Sequence, residues 1–175
     1  DDGSFFVNIK PHCEDGQRVL YVFDLVLAMV RRWGWRFVDE LCWRHTDGGI
    51  PGVWSNRFKN AFEPIYHFSA CGDIKFREEN VRHKSDSVFD YSANNTNSRI
   101  SGLLSKKANG HRTGMARASN VIEVASDSSG LGHAAAFPVA LPTFFVKAYS
   151  DAGDVWLDPF LGSGTTIVAA HNEGR

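Results

Sequence analysis

The alternation of apolar and polar positions divides the chain into strands and helices in turn. After a turn at Asp1-Asp2-Gly3, the run Ser4-Phe5-Phe6-Val7-Asn8-Ile9 predicts a buried strand. Val19, Phe23, Val26, Met29/Val30 and Trp33 then fall at helical spacing. This predicts a helix with Asp15 as N-cap, Arg31 and Arg32 in its last turn and Gly34 as its stop. Trp35, Phe37, Asp39, Leu41 and Trp43 alternate with Arg36, Val38, Glu40 and Cys42, the pattern of a strand with two unlike faces. Asp47-Gly48-Gly49-Ile50-Pro51-Gly52 reads as a loop, and Glu63 to Phe68 as a further strand with Pro64 near its start. Towards the end come an extended segment at Asn120–Val124, a helix from about Pro142 to Ser150 and a turn at Asp151-Ala152-Gly153. A short strand at Asp154–Leu157, a loop over Asp158–Gly164 and a helix opening at Thr165 follow. Strands interleaved with helices predict an α/β fold, and the chain shows no internal repeat.

Composition sharpens this in two places. With 175 residues, 43% of them hydrophobic, the chain has the length of one domain and enough apolar side chains for a core. Its formal net charge of −1 excludes a uniformly basic nucleic-acid binder and an acidic tail protein. A local exception lies between residues 91 and 119, where Arg99, Lys106, Lys107, Arg112 and Arg117 occur with no Asp or Glu. That segment reads as a solvated loop or as a surface that touches a polyanion. The stretch Val19–Val30 is too short to span a bilayer and is interrupted by Asp24, so no membrane partner is expected. Three cysteines (Cys13, Cys42 and Cys71), without Cys-x-x-Cys spacing, argue against a disulfide framework or a zinc site. They predict a reduced, cytoplasmic protein. Both ends read as cut, since position 1 is Asp and Arg175 follows directly on a helical pattern.

The strongest local signal is a strand, then Asp158-Pro159-Phe160-Leu161-Gly162-Ser163-Gly164-Thr165-Thr166, then a helix. A glycine-rich turn at this junction lets a ligand approach the backbone, and the helix start offers free amides. The loop lacks the Gly-Lys-Ser/Thr ending of a phosphate loop, which argues against a nucleotide hydrolase. Ile167 stands where a dinucleotide fold would place its third Gly.

This loop resembles the cofactor motif of DNA amino-methyltransferases, which use S-adenosyl-L-methionine to methylate adenine N6 or cytosine N4. His133-Ala-x-x-Phe137-Pro138-x-x-Leu141-Pro142 resembles the family's second cofactor motif. In the permuted, beta arrangement that motif precedes the glycine loop and the target-recognition region precedes both, as here. The segment from Pro51-Gly52-x-Trp54 through Asn56-Arg57-Phe58-Lys59-Asn60 to Phe68-Ser69 is similar to the one many such enzymes carry before the recognition region. The resemblance implies a Rossmann-like mixed sheet with flanking helices, incomplete here. Residues 1–69 would form the first part of the core, 70–119 a recognition insertion and 120–175 the cofactor-binding part.

The same resemblance implies roles. Phe137 and Pro138 would pack near the cofactor. Phe160, Gly162 and Gly164 would floor the pocket, with Pro159 and Ser163 in the same loop, and Asp158 would fix the turn or meet the methionine amine. Thr165 or Thr166 would cap the helix or meet the cofactor carboxylate. Arg99, Lys106, Lys107, Arg112 and Arg117 would contact phosphates of double-stranded DNA, while Asn94, Asn95, Asn97 and His111 are read as base contacts or turn residues. Trp43 would line the base pocket or fill the core. A homodimer is left open.

The family's catalytic motif, Asp/Asn/Ser-Pro-Pro-aromatic, does not occur in the chain. In the permuted order it is expected upstream of Asp1, and the ribose-holding acid just beyond Arg175. That motif accepts the two N–H bonds of the amine and stacks on the flipped base. The expected function is site-specific methylation of DNA, with adenine N6 favoured over cytosine N4. The alternative is a DNA- or cofactor-binding remnant without catalysis.

Overall fold

The computed structural model of the chain describes residues 2–47, 56–84, 114–125 and 137–175. Its main sheet has four strands in the order β1 (Ser4–Asn8), β5 (Phe62–Ser69), β4 (Arg36–His45), β8 (Val121–Val124). Strand β5 runs antiparallel to both neighbours, and β8 runs parallel to β4. The sheet is therefore mixed, as the resemblance implies, and β1, β4 and β8 all point the same way. Two small antiparallel ladders stand apart from it: β2 (Cys13–Glu14) with β3 (Gln17–Arg18), and β6 (His83–Lys84) with β7 (Met115–Ala116).

The core follows from strand alternation. On β5, Tyr66 and Phe68 face helix α1 (Tyr21–Arg31) and join Val22 and Met29. Ile65 faces the other way, towards helix α2 (Ala140–Tyr149), and joins Leu41, Trp43, Ile122, Leu141 and Phe145. Period-2 side chains thus feed two cores from one strand. Helix α3 (Thr165–Asn172) packs on α2 through its buried Ala169 and Ala170. No helix among the described residues is long and apolar enough to cross a membrane.

Four expectations are corrected. Asp15 is not a helix N-cap: with φ 47° it forms, with Gly16 at φ 77°, the turn between β2 and β3. Positive φ at both central residues is the geometry that Asp-Gly favours in two-residue hairpins. The helix starts instead at Tyr21 and buries a different stripe: Val22 and Met29 are buried while Phe23, Val30 and Trp33 are exposed. Two apolar stripes of helical spacing run along this segment, and periodicity alone does not choose between them. A bulge between Phe37 and Asp39 breaks the alternation of β4. Phe37 accordingly packs on Tyr66 and Phe68, while Leu41 and Trp43 lie on the opposite face. Finally, Asp154–Leu157 is not a strand, because no described segment pairs with it. Val155 and Leu157 are 93% and 85% exposed, and Trp156 alone turns into the core.

Among the described residues four buried ones are polar (His45, His67, Ser69 and Ser150), and His67 is the largest that is fully buried. His67 is fully buried, stacked on Phe6 at 4.3 Å and edge-on to Tyr149 at 4.8 Å. Its Nε2 lies 2.8 Å from Ser4 Oγ, and its Nδ1 has no partner among the described residues. Burial lowers its pKa from 6.5 to about 4, against a smaller opposing pull from Asp39. As pH falls, the unfolded state takes up this proton first. Stability is therefore complete above pH about 6.5, and roughly 3 kcal/mol is lost by pH about 4. Carboxylates add their own slopes, so the decisive quantity is a difference. Urea denaturation of the full-length protein should lose stability over this range more steeply than its His67→Gln variant does. Parallel curves would show that His67 carries no such linkage.

Candidate cofactor loop and DNA face

The loop from Asp158 to Gly164 is closed by its own first residue. Asp158 Oδ1 accepts the Phe160 N–H at 2.9 Å, and Oδ2 accepts the Thr166 hydroxyl at 2.6 Å. One carboxylate thereby ties the start of the loop to the first turn of α3. Gly162 has φ 54° and Gly164 φ 85°, so the chain passes twice through the left-handed region. Gly164 is the N-cap residue of α3, and no side chain caps that helix. Thr166 is thus a clasp for Asp158 and does not cap; Thr165 Oγ1 lies 3.1 Å from Ser163 Oγ. A Cβ on Gly162 would meet nothing nearer than the Phe160 carbonyl at 3.8 Å, and one on Gly164 nothing within 4 Å. The loop therefore faces open space. Pro159, Phe160, Leu161, Gly162 and Ser163 all lie on its exposed side, Phe160 at 90% exposure.

Phe137 and Pro138 lie just before α2. Phe137 packs against the core of Leu41, Trp43, Ile65 and Ile122, and the Pro138 carbonyl accepts the Leu141 N–H at 3.0 Å. Helices α2 and α3 meet at their carboxyl ends. Lys147 pairs with Glu173 at 3.3 Å, Arg175 donates to the Ser150 carbonyl at 2.7 Å, and the Gly153 N–H to the Gly174 carbonyl at 2.9 Å. Both candidate cofactor segments thus precede helices that share a carboxyl-terminal anchor.

A cluster of charges that the sequence reading missed fixes the turn leading into this loop. Lys75 Nζ donates to Asp154 Oδ2 at 2.6 Å, and Arg77 grips Asp151 through two bonds of 2.9 and 2.7 Å. These partners hold the Asp151 and Asp154 carboxyls below their usual range. They lie more than seventy positions apart, so no local pattern announces them.

Of the predicted DNA contacts, Arg99, Lys106, Lys107 and Arg112 lie outside the described residues, as do Asn94, Asn95, Asn97, His111, His133 and the segment from Pro51 to Trp54. Arg117 is described. Its Nε donates to Glu78 Oε2 at 2.7 Å, and Glu78 also takes Arg82 at 3.0 Å. A phosphate at Arg117 would compete with that carboxylate. Trp43 is a core residue, buried, with Nε1 donating to the Val124 carbonyl at 3.0 Å. Phe58 is 96% exposed, although its neighbours are anchored. Asn56 donates to the Gly16 carbonyl at 3.2 Å, and Asn60 accepts from Arg18 at 2.6 Å.

Comparison with known proteins places this geometry. All 175 residues match the N6/N4 family model described as DNA methylase. Over 43 residues the chain is 51% identical to the Type II methyltransferase M.BglI of Bacillus subtilis, covering 25% of this chain and 12% of that protein. Over 42 residues it is 52% identical to the Type II methyltransferase M.MthZI of Methanothermobacter thermautotrophicus, covering 24% and 12%. The fold resembles that of the PvuII DNA methyltransferase (cytosine-N4-specific), with TM-score 0.70 and 21% identity over 99% of this chain and 57% of that one. It also resembles the M1.HpyAVI–SAM complex, with TM-score 0.56 and 17% identity over 99% and 65%. The chain thus spans little more than half of the PvuII enzyme.

The loop's dependence on backbone sign is testable. Gly164→Ala should cost roughly 1 kcal/mol or more in urea denaturation, because an L side chain resists φ 85°. Gly164→Asn should cost clearly less, since Asn tolerates that region. Equal losses would mean that the helix cap, and not its handedness, sets the penalty.

Proposed function

This chain belongs to the N6/N4 DNA methylase family, and on that premise we propose that its protein methylates an exocyclic amine of DNA, at adenine or cytosine, with S-adenosyl-L-methionine as donor. The observation that carries the reading is the Asp158-clasped glycine loop, open to solvent where an added Cβ finds free space. Such a loop suits a ligand with a carboxylate and a ribose. Backbone amides at the uncapped start of α3 face anionic groups favourably, and the two glycines let the ligand lie against the chain. Phe160 and Phe137 supply apolar surface, and Asp158 keeps the loop in shape.

When bound, the cofactor supplies an electrophilic sulfonium methyl. The chain's own task is positioning. The loop fixes the donor, and the basic residues of the 91–119 segment dock the phosphate backbone, so that the acceptor amine is held in line. A second reading rests on a sequence fact: these 175 residues contain no Pro-Pro-aromatic motif. On that reading the protein binds cofactor or DNA without methylating. Incubating the full-length protein with DNA and S-adenosyl-L-methionine, then analysing the nucleosides by mass spectrometry, separates the readings. It also names the base, as N6-methyladenine or N4-methylcytosine.

Two variants test the assigned surfaces. Gly162→Asp places a carboxylate where the ligand's own carboxylate would lie, in space the protein leaves open. Calorimetry should show cofactor binding lost, while the strain of a side chain at φ 54° lowers the melting temperature by only a few degrees. Unchanged affinity removes the loop from the site. Neutralising Lys106, Lys107 and Arg112 together should weaken DNA binding alike on all sequences. It should flatten the slope of log affinity against log salt by roughly 2–3 units if each touches one phosphate. An unchanged slope would make the segment a solvated loop.

A further inference from the structure

The run from Asp154 to the glycine loop has no ladder to the sheet among the described residues. Val155 and Leu157 stand in solvent, and Trp156 alone enters the core. The far end of the loop is fixed by α3, which packs on α2. The near end is held by Trp156 and by one carboxylate. Asp154 Oδ2 accepts from Lys75 Nζ at 2.6 Å and from the Asp151 N–H at 2.8 Å. Lys75 reaches further than Asp154. Its ammonium also lies 3.5 Å from Asp151 and 3.9 Å from Asp2, and its side chain is 17% exposed. Its backbone N–H donates to the Asp2 carbonyl at 3.4 Å. Asp2 leads into β1, and Asp154 leads into the Asp158 loop. One cation therefore ties the approach to the sheet's edge strand to the approach to the loop.

Resting on the reading of that loop as the cofactor site, we propose that Lys75 is a positioning residue for S-adenosyl-L-methionine. Through Asp154 it sets where the Asp158 loop stands relative to β1, and so what fraction of the protein is ready to bind.

The charges explain why one side chain matters this much. Without the ammonium, Asp151 and Asp154 face each other within a single turn, and Arg77 neutralises only Asp151. The two carboxylates repel, the turn opens, and the run to Asp158 loses its inner hold. A charge-assisted bond this well shielded is among the stronger hydrogen bonds. Its loss leaves the loop in its binding position for only part of the time, and the apparent affinity falls by that same fraction. Bound cofactor restores the position, so turnover of the saturated enzyme changes little. A residue that merely stabilised the fold would give no such division between affinity and turnover.

Hydrogen exchange and calorimetry on the full-length protein test this. In Lys75→Met the backbone amides between Val155 and Thr166 should exchange about tenfold faster than in the wild type, while those of β5 keep their rates. The Kd for S-adenosyl-L-methionine should rise about tenfold, and kcat at saturating cofactor should stay within about twofold. Asp154→Asn keeps an acceptor for the Asp151 N–H and loses the charge, so it should shift both quantities the same way by about threefold. Lys75→Arg keeps the charge and should bind within about threefold of the wild type. Unchanged exchange around the loop overturns the proposal, as does faster exchange with unchanged affinity. Faster exchange everywhere, β5 included, would make Lys75 a stabiliser of the whole fold and also overturns it. A wild type that binds no cofactor removes the reading of the loop, and this inference with it. A wild type that binds, with Lys75→Met binding as tightly, removes this inference alone.

Discussion

Strand β5 is hydrogen-bonded along both edges and covered on both faces, and almost every other element takes its position from it. Six consecutive residues, from Pro64 to Ser69, are buried. Backbone groups placed that deep must all be paired, and the antiparallel ladders to β1 and β4 do this. Once those ladders form, the alternation of Ile65, Tyr66, His67 and Phe68 dictates that α1 lies on one side and α2 on the other. Pro64 is tolerated near the start of the strand, where its carbonyl still accepts from the Asn8 side chain at 3.1 Å.

The candidate site inherits its position from this arrangement at one remove. Phe137 joins the core beside β4 and β8, α2 follows from it, α3 is fastened to the carboxyl end of α2, and the glycine loop is the approach to α3. The loop is built almost without core contacts. Its shape comes from one carboxylate and two glycines, while Lys75 and Arg77 steady the turn before it through ionic bonds. A rigid interior thus presents a locally determined, solvent-facing loop, the usual division of labour between scaffold and site.

What could be read in the sequence was what is local and chemically distinctive. The glycine loop was legible because positive φ leaves a residue signature, and β5 because a continuous apolar run bounded by a proline has few other uses. The Asp15-Gly16 hairpin left an equally clear signature in Glu14-Asp15-Gly16-Gln17, which the helical spacing downstream overrode. Other features have no local trace. The bulge at Val38 changes which face Phe37 occupies without changing the composition of β4. The choice between two apolar stripes on α1 is made by the sheet. Asp154–Leu157 reads as a strand by residue type, but a strand exists only when another lies beside it. The partners of Lys75 and Arg77 emerge only after folding.

The short ladder of β6 with β7 bears on how such a protein can change. His83 pairs with Ala116 and Lys84 with Met115, so the chain departs towards residue 85 and returns at residue 114 through adjacent points. The main sheet therefore does not register how long the intervening segment is. For any flexible chain closed between two fixed points, each doubling of length adds only about 0.6 kcal/mol of closure entropy. Sequence between these two anchors can be exchanged, shortened or extended while β4, β8 and the glycine loop keep their places.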